Sequence, residues 1–103
     1  MKEIVPVQRF NICSFFNADP VSRSQAKKLC SEIIVPGKII LDFSGIRWTG
    51  QSFAHQIFVV FQKGHPDIQF VPINIAKDVA TMIFHVLSTD QTDDEILYTE
   101  EPG

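Results

Sequence analysis

KIILDFSGIRWTGQSFAHQIFVVFQKG, residues 38–64, holds a strand, a turn and a helix in succession. Lys38–Phe43 is a short continuous apolar run that takes in Asp42 near its end, the pattern of a strand covered on both faces. Ser44-Gly45 turns the chain, and Thr49-Gly50-Gln51-Ser52 leads into a helix that lasts to about Gly64. Phe53, Ala54, Ile57, Phe58, Val59, Val60 and Phe61 put apolar side chains on nearly every side of it. Only His55, Gln56, Gln62 and Lys63 are clearly polar. A helix of that kind is either central to a core or partly covered by a partner.

Working outward, the segment before it is punctuated by Pro36-Gly37. Upstream of that stop, Ala26, Leu29, Cys30 and Ile33 recur at helical spacing, while Arg23, Lys27, Lys28 and Glu32 point elsewhere. Ser22 with Gln25 three residues later has the spacing of a capping box, so the helix starts there. Asn17-Ala18-Asp19-Pro20 is the turn before it. Ile4–Val7 and Phe10–Phe16 read as two β-rich pieces, with Pro6 suited to an edge strand because it cannot donate to a ladder. Downstream, His65-Pro66-Asp67 breaks the apolar helix and Ile68–Ile73 is another strand. Asn74 is placed to cap a third helix carrying Ala76, Val79, Ala80, Ile83, Val86 and Leu87 on one face. The order β-β-α-β-α-β-α predicts an α/β sandwich whose central strands are parallel.

The chain has 103 residues, enough for one domain and too few for two cores of ordinary size. Nine Phe and one Trp supply the apolar area for that core. Charge is uneven. Residues 1–88 hold all nine Lys and Arg against six acids, whereas residues 89–103 hold six acids (Asp90, Asp93, Asp94, Glu95, Glu100, Glu101) and no base. The expected division is a single domain over 1–88 and an acidic C-terminal tail over 89–103, solvated, docking through Ile96-Leu97-Tyr98 as a short edge strand, or contacting a partner through them. A net charge of −3 disfavours general affinity for nucleic acid or acidic lipid. No apolar run approaches the roughly 18 to 20 residues that span a bilayer, and MKEIVPVQRF lacks a signal-type apolar core, so a cytoplasmic protein is expected.

Signatures of enzymatic chemistry are nearly absent. The five Gly are not clustered into a phosphate loop. Cys13 and Cys30 make neither a disulfide framework nor a zinc site and read as reduced, mostly buried thiols; no metal and no cofactor are expected. Ser52 and His55, three apart on one helix, are neighbours, and Asp42 could complete a triad. The strained Gly-x-Ser-x-Gly elbow is missing, so a hydrolase is the low alternative, and Ser52 reads equally as a helix-start residue satisfying backbone donors. A small molecule or nucleotide at the carboxyl ends of the parallel strands, near Asp42-Phe43-Ser44, is the other alternative.

Leu41-Asp42-Phe43-Ser44-Gly45 through Gly50-Gln51-Ser52-Phe53-Ala54 resembles the central segment of STAS domains, the fold of bacterial anti-sigma-factor antagonists. With Ser22–Lys27, Phe61, His65-Pro66, Pro72-Ile73-Asn74, Val79 and Met82-Ile83, the series is similar to the small STAS-like domain family of unknown function. The resemblance implies a STAS-like sandwich, with a mixed sheet of four to five strands and about three helices. It also implies a non-enzymatic regulatory module that binds a protein, a histidine-kinase-type ATPase or another signalling partner, with a homodimer as a further arrangement. The partner face it implies comprises Asp42, Ser44, Gly45, Thr49, Gly50, Gln51, Ser52 and His55. By register from Asp42, Ser52 falls at the serine that such partners phosphorylate. Gly50 and Phe53 stand where antagonists carry an acid and a glycine around that serine.

Overall fold

Three short segments make the sheet, the second and third apolar runs with β-branched residues and the first, VQRFN, mixed. They are β1 (Val7–Asn11), β2 (Gly37–Asp42) and β3 (Ile68–Ile73). The computed structural model describes the backbone of residues 7–34 and 36–99 and the side chains through Thr89. β2 lies between β1 and β3, and both pairings are parallel. The register sets Asn11, Asp42 and Ile73 side by side, so all three strands end together at one rim of the sheet. β1 to β2 and β2 to β3 step in the same direction. Right-handed crossovers therefore place the intervening helices on one face. Phe10, Ile39, Leu41, Ile68 and Phe70 are buried, whereas Arg9, Lys38 and Gln69 on the alternate positions stay exposed.

The predicted mixed sheet of four to five strands is met only in part. Among the described residues the sheet has three strands, all parallel. Ile4–Pro6 lie outside the described residues, and Phe10–Phe16 divides at Asn11. Beyond it the chain forms α1 (Ile12–Phe16) rather than a strand. Two asparagines impose that turn. The Asn11 side chain accepts from the Ser14 N–H at 2.9 Å, and Asn17, in the left-handed region at φ 56, donates its N–H to the Cys13 carbonyl at 2.7 Å. Capping outweighs the β preference of the phenylalanines. The turn also aims Phe15 and Phe16 at the core, in an edge-on chain of rings from Phe10 to Phe53.

α2 (Arg23–Cys30) opens with the expected capping box, Ser22 accepting from the Gln25 N–H and Gln25 accepting from the Ser22 N–H at 2.8 Å. The apolar helix is continuous over 51–64 but not uniform. α3 (Gln51–His55) passes into a π-helical stretch (Gln56–Phe61), and α4 (Gln62–Gly64) finishes it. π segments inside α-helices recur at functional sites. This central helix packs against α2 on one flank and α5 (Lys77–Thr99) on the other, which accounts for its all-round apolar character. Val79, Ile83 and Val86 are the buried side of α5. α5 runs unbroken across the expected 88/89 boundary, so residues 96–98 are helical rather than an edge strand. Asn74 does not cap it: its amide is used elsewhere, as described below. No helix among the described residues is long and apolar enough to cross a membrane.

Candidate functional site

Two groups of polar side chains meet where the strands end and the helices begin. The first is centred on Asp42, buried at the end of the middle strand. Its Oδ1 accepts the Ser44 hydroxyl at 2.7 Å, the Ser44 N–H at 3.0 Å and the Asn74 amide at 3.0 Å. Its Oδ2 accepts the Arg9 guanidinium at 2.8 Å, an ion pair spanning β1 and β2. Asn74 supplies its amide from a left-handed backbone, φ 53, which asparagine tolerates better than most residues. The Ser44 hydroxyl first, then Arg9 and Asn74, hold the Asp42 carboxyl far below the usual carboxylate range. All four bonds come from the fold itself, three on Oδ1 and one on Oδ2. The carboxylate is a clasp tying β1, β2 and the start of the last crossover.

The sign of its pH effect follows. A carboxylate with a depressed folded pKa stabilises the fold fully above its unfolded value of about 3.9, and that stability is lost as pH falls below it. Urea melts should therefore show wild-type stability falling from about pH 5 downward. Asp42→Asn should be less stable at neutral pH and flatter in acid. Equal slopes for the two proteins would contradict the clasp.

The second group surrounds the N-terminus of the central helix. The Thr49 hydroxyl and the Gly50 N–H both donate to the Pro20 carbonyl at 2.9 Å, and the Phe53 N–H donates to the Val21 carbonyl at 3.3 Å. The Pro20–Val21 link ahead of α2 is thereby strapped onto the central helix. A Cβ on Gly50 would stand 2.6 Å from the Val21 carbonyl oxygen, so only glycine permits the approach.

Between the two strapped elements lies a groove of about 360 Å³, lined by Arg23, Gln51, Ser52, His55, Gln56 and Val60. None of its five polar side chains enters a hydrogen bond or ion pair with a described residue, in contrast to Asp42, which is bonded through both oxygens. Ser52 is exposed one residue inside the helix, behind Gly50, which offers no side-chain cap. No hydrogen bond joins Ser52 to His55. Among the described residues, no group of three or more His, Cys, Asp or Glu is placed to hold a metal. Cys30 is buried and its thiol is pushed up to about 11, whereas Cys13 is exposed. A thiol reagent should accordingly label Cys13 in the native protein and Cys30 only on unfolding; equal rates would contradict that burial.

The predicted partner face thus divides by role. Asp42 and Ser44 form the clasp, and Gly45 turns the chain at φ 81. Thr49 and Gly50 form the strap, and Gln51, Ser52 and His55 line the groove. Sequence reasoning missed Arg9 and Asn74 in the clasp and Arg23, Gln56 and Val60 in the groove. Gln56 and Val60 follow Ser52 at steps of four and were legible in principle; Arg23 reaches the groove only through tertiary packing.

The family model described as STAS-like domain of unknown function (DUF4325) matches residues 25–80. That span holds Asp42, Ser44, the Thr49-Gly50 half of the strap and the central-helix wall of the groove. Arg9 and Arg23 precede it. No curated protein and no solved structure matches the chain.

Proposed function

The chain belongs to the STAS-like domain family, and from that premise we propose that it is a non-enzymatic regulatory module that docks a protein partner through the α2–central helix groove. The observation that carries this reading is the contrast between the two polar groups. The clasp engages both oxygens of Asp42 within the fold, and among the described residues no hydrogen bond links Asp42 to His55. The groove keeps five polar side chains unspent beside the half-exposed Val60. By likeness to antagonist domains, the suited partner is a histidine-kinase-type ATPase or a similar regulator.

Ser52 is the point at which such a partner would act. Phosphate adds about −1.5 to −2 charges, and near the start of a helix the dipole favours it. The same charge inside the groove alters what the groove accepts, and a local modification ends the complex. The test is capture of partners by immobilised domain, with and without ATP, using wild type, Ser52→Asp and Ser52→Ala. Ser52→Asp is expected to melt like wild type while weakening capture about tenfold or more, a difference of about 1.4 kcal/mol. Ser52→Ala is expected to bind whether or not ATP is present. Wild-type capture by Ser52→Asp would falsify the switch.

A further inference from the structure

We infer that the groove accepts the acidic segment 89–103 of a second copy of this chain, so that the protein self-associates through its two oppositely charged parts. The inference rests on reading the groove as a docking face. It adds an occupant of defined chemistry.

Charge complementarity carries it. α2 bears Arg23, Lys27 and Lys28 and no acid, and no acid occurs between Ser44 and Pro66, a span that includes the whole central-helix wall. The groove is therefore free of negative charge in a chain whose net charge is −3. The compensating charge is concentrated in 89–103, with six acids and no base. Opposed patches of this kind steer and register an encounter. The segment also contains Ile96-Leu97-Tyr98, apolar residues to meet Val60, which is 45% exposed at the end of the groove.

The topology directs the contact to another copy. Across the helical layer the order is α2, central helix, α5, so α5 lies on the flank away from the groove. Like the central helix, α5 begins at the rim where the strands end. Its 23 residues then run about 34 Å toward the opposite side at 1.5 Å per residue. The acidic end of the helix thus leaves its own groove behind, and only a second molecule brings the two together. A reciprocal pair, each copy giving one segment and one groove, closes on itself. It would also compete with the protein partner for the groove.

The test is the oligomeric state of the full chain, by sedimentation or light scattering, in low and high salt. Wild type should be a dimer in low salt, with a dissociation constant about tenfold or more higher in 0.5 M salt, because exposed ion pairs are screened. The exposed-residue variant Arg23→Glu/Lys27→Glu should be monomeric. Combining it with Asp93→Lys/Asp94→Lys should restore the dimer. A wild-type monomer in low salt overturns the inference, as does a dimer indifferent to salt and to the charge reversal, such as one formed through the exposed Phe84. A monomer whose partner capture still responds to Ser52 overturns this inference and leaves the docking reading standing. A dimer whose capture ignores Ser52 does the reverse.

Discussion

Gly50→Ala is expected to lower stability by about 3 kcal/mol, which in a domain of this size moves the thermal midpoint down by more than about 10 °C. The backbone of Gly50, at φ −81 and ψ 156, suits any residue, so the loss is steric rather than conformational. The added Cβ meets backbone, the Val21 carbonyl oxygen at 2.6 Å, and backbone yields less readily than a side chain. Relief requires separating α2 from the central helix. That movement also strains the Thr49 and Gly50 bonds to Pro20. Gly64→Ala is the control. Nothing lies within 4 Å of a Cβ there, and alanine is the better helix residue by up to about 1 kcal/mol. The same chemical change should thus have opposite signs at the two positions in denaturant melts. Equal, small effects would contradict the strap.

Phe53→Ala is expected to cost about 3–5 kcal/mol, a large part of the 5–15 kcal/mol that holds a typical domain together. Phe53 is fully buried directly after Ser52 and anchors the start of the central helix. It ends the ring chain that begins at Phe10, meeting Phe16 edge-on at a centroid distance of 5.7 Å. Truncation opens a cavity and removes an aromatic pair worth about 0.5–1.5 kcal/mol beyond its area. Phe53→Leu, which keeps most of the volume, should cost far less. A cost for Phe53→Ala below about 1 kcal/mol would mean that the site collapses around the missing ring and that the chain of rings is not a single packed unit.

The elements governed by local signals were legible in the sequence. Ser22 and Gln25 marked the start of α2, Pro36-Gly37 its separation from β2, and Pro66 the break before β3. The hydrophobic span 53–61 marked the central helix, although nothing in its spacing signalled the π-helical stretch. What was misread depended on competition between local signals or on distant partners. Asn11 and Asn17 turned a β-like run into α1 because a capped turn satisfies its backbone while delivering Phe15 and Phe16 to the core. Asn74 looked like a helix cap, yet a carboxylate 32 residues away takes its amide.

The site was half legible for the same reason. A resemblance identifies positions, but whether a polar residue is spent or free is a tertiary fact. Asp42 and Ser44 at a strand end before Gly45 read as residues that structure the loop, and in space they form the clasp with Arg9 and Asn74. Ser52 and His55, singled out in the sequence, line the open groove together with Gln56, which reads there as an ordinary helix residue. Arg23, read only as a solvent-facing position of α2, becomes the cationic wall opposite them.

The proposed docking face is the groove, with the clasp only supporting it. The most direct test is the dissociation constant of one captured partner measured for wild type, Arg23→Glu, Ser52→Asp and Asp42→Asn, each first shown to be folded. Arg23→Glu and Ser52→Asp are predicted to bind about tenfold or more weakly, or about 1.4 kcal/mol, with Asp42→Asn close to wild type. Binding that is lost in folded Asp42→Asn and kept by both groove variants would rule out docking in the groove.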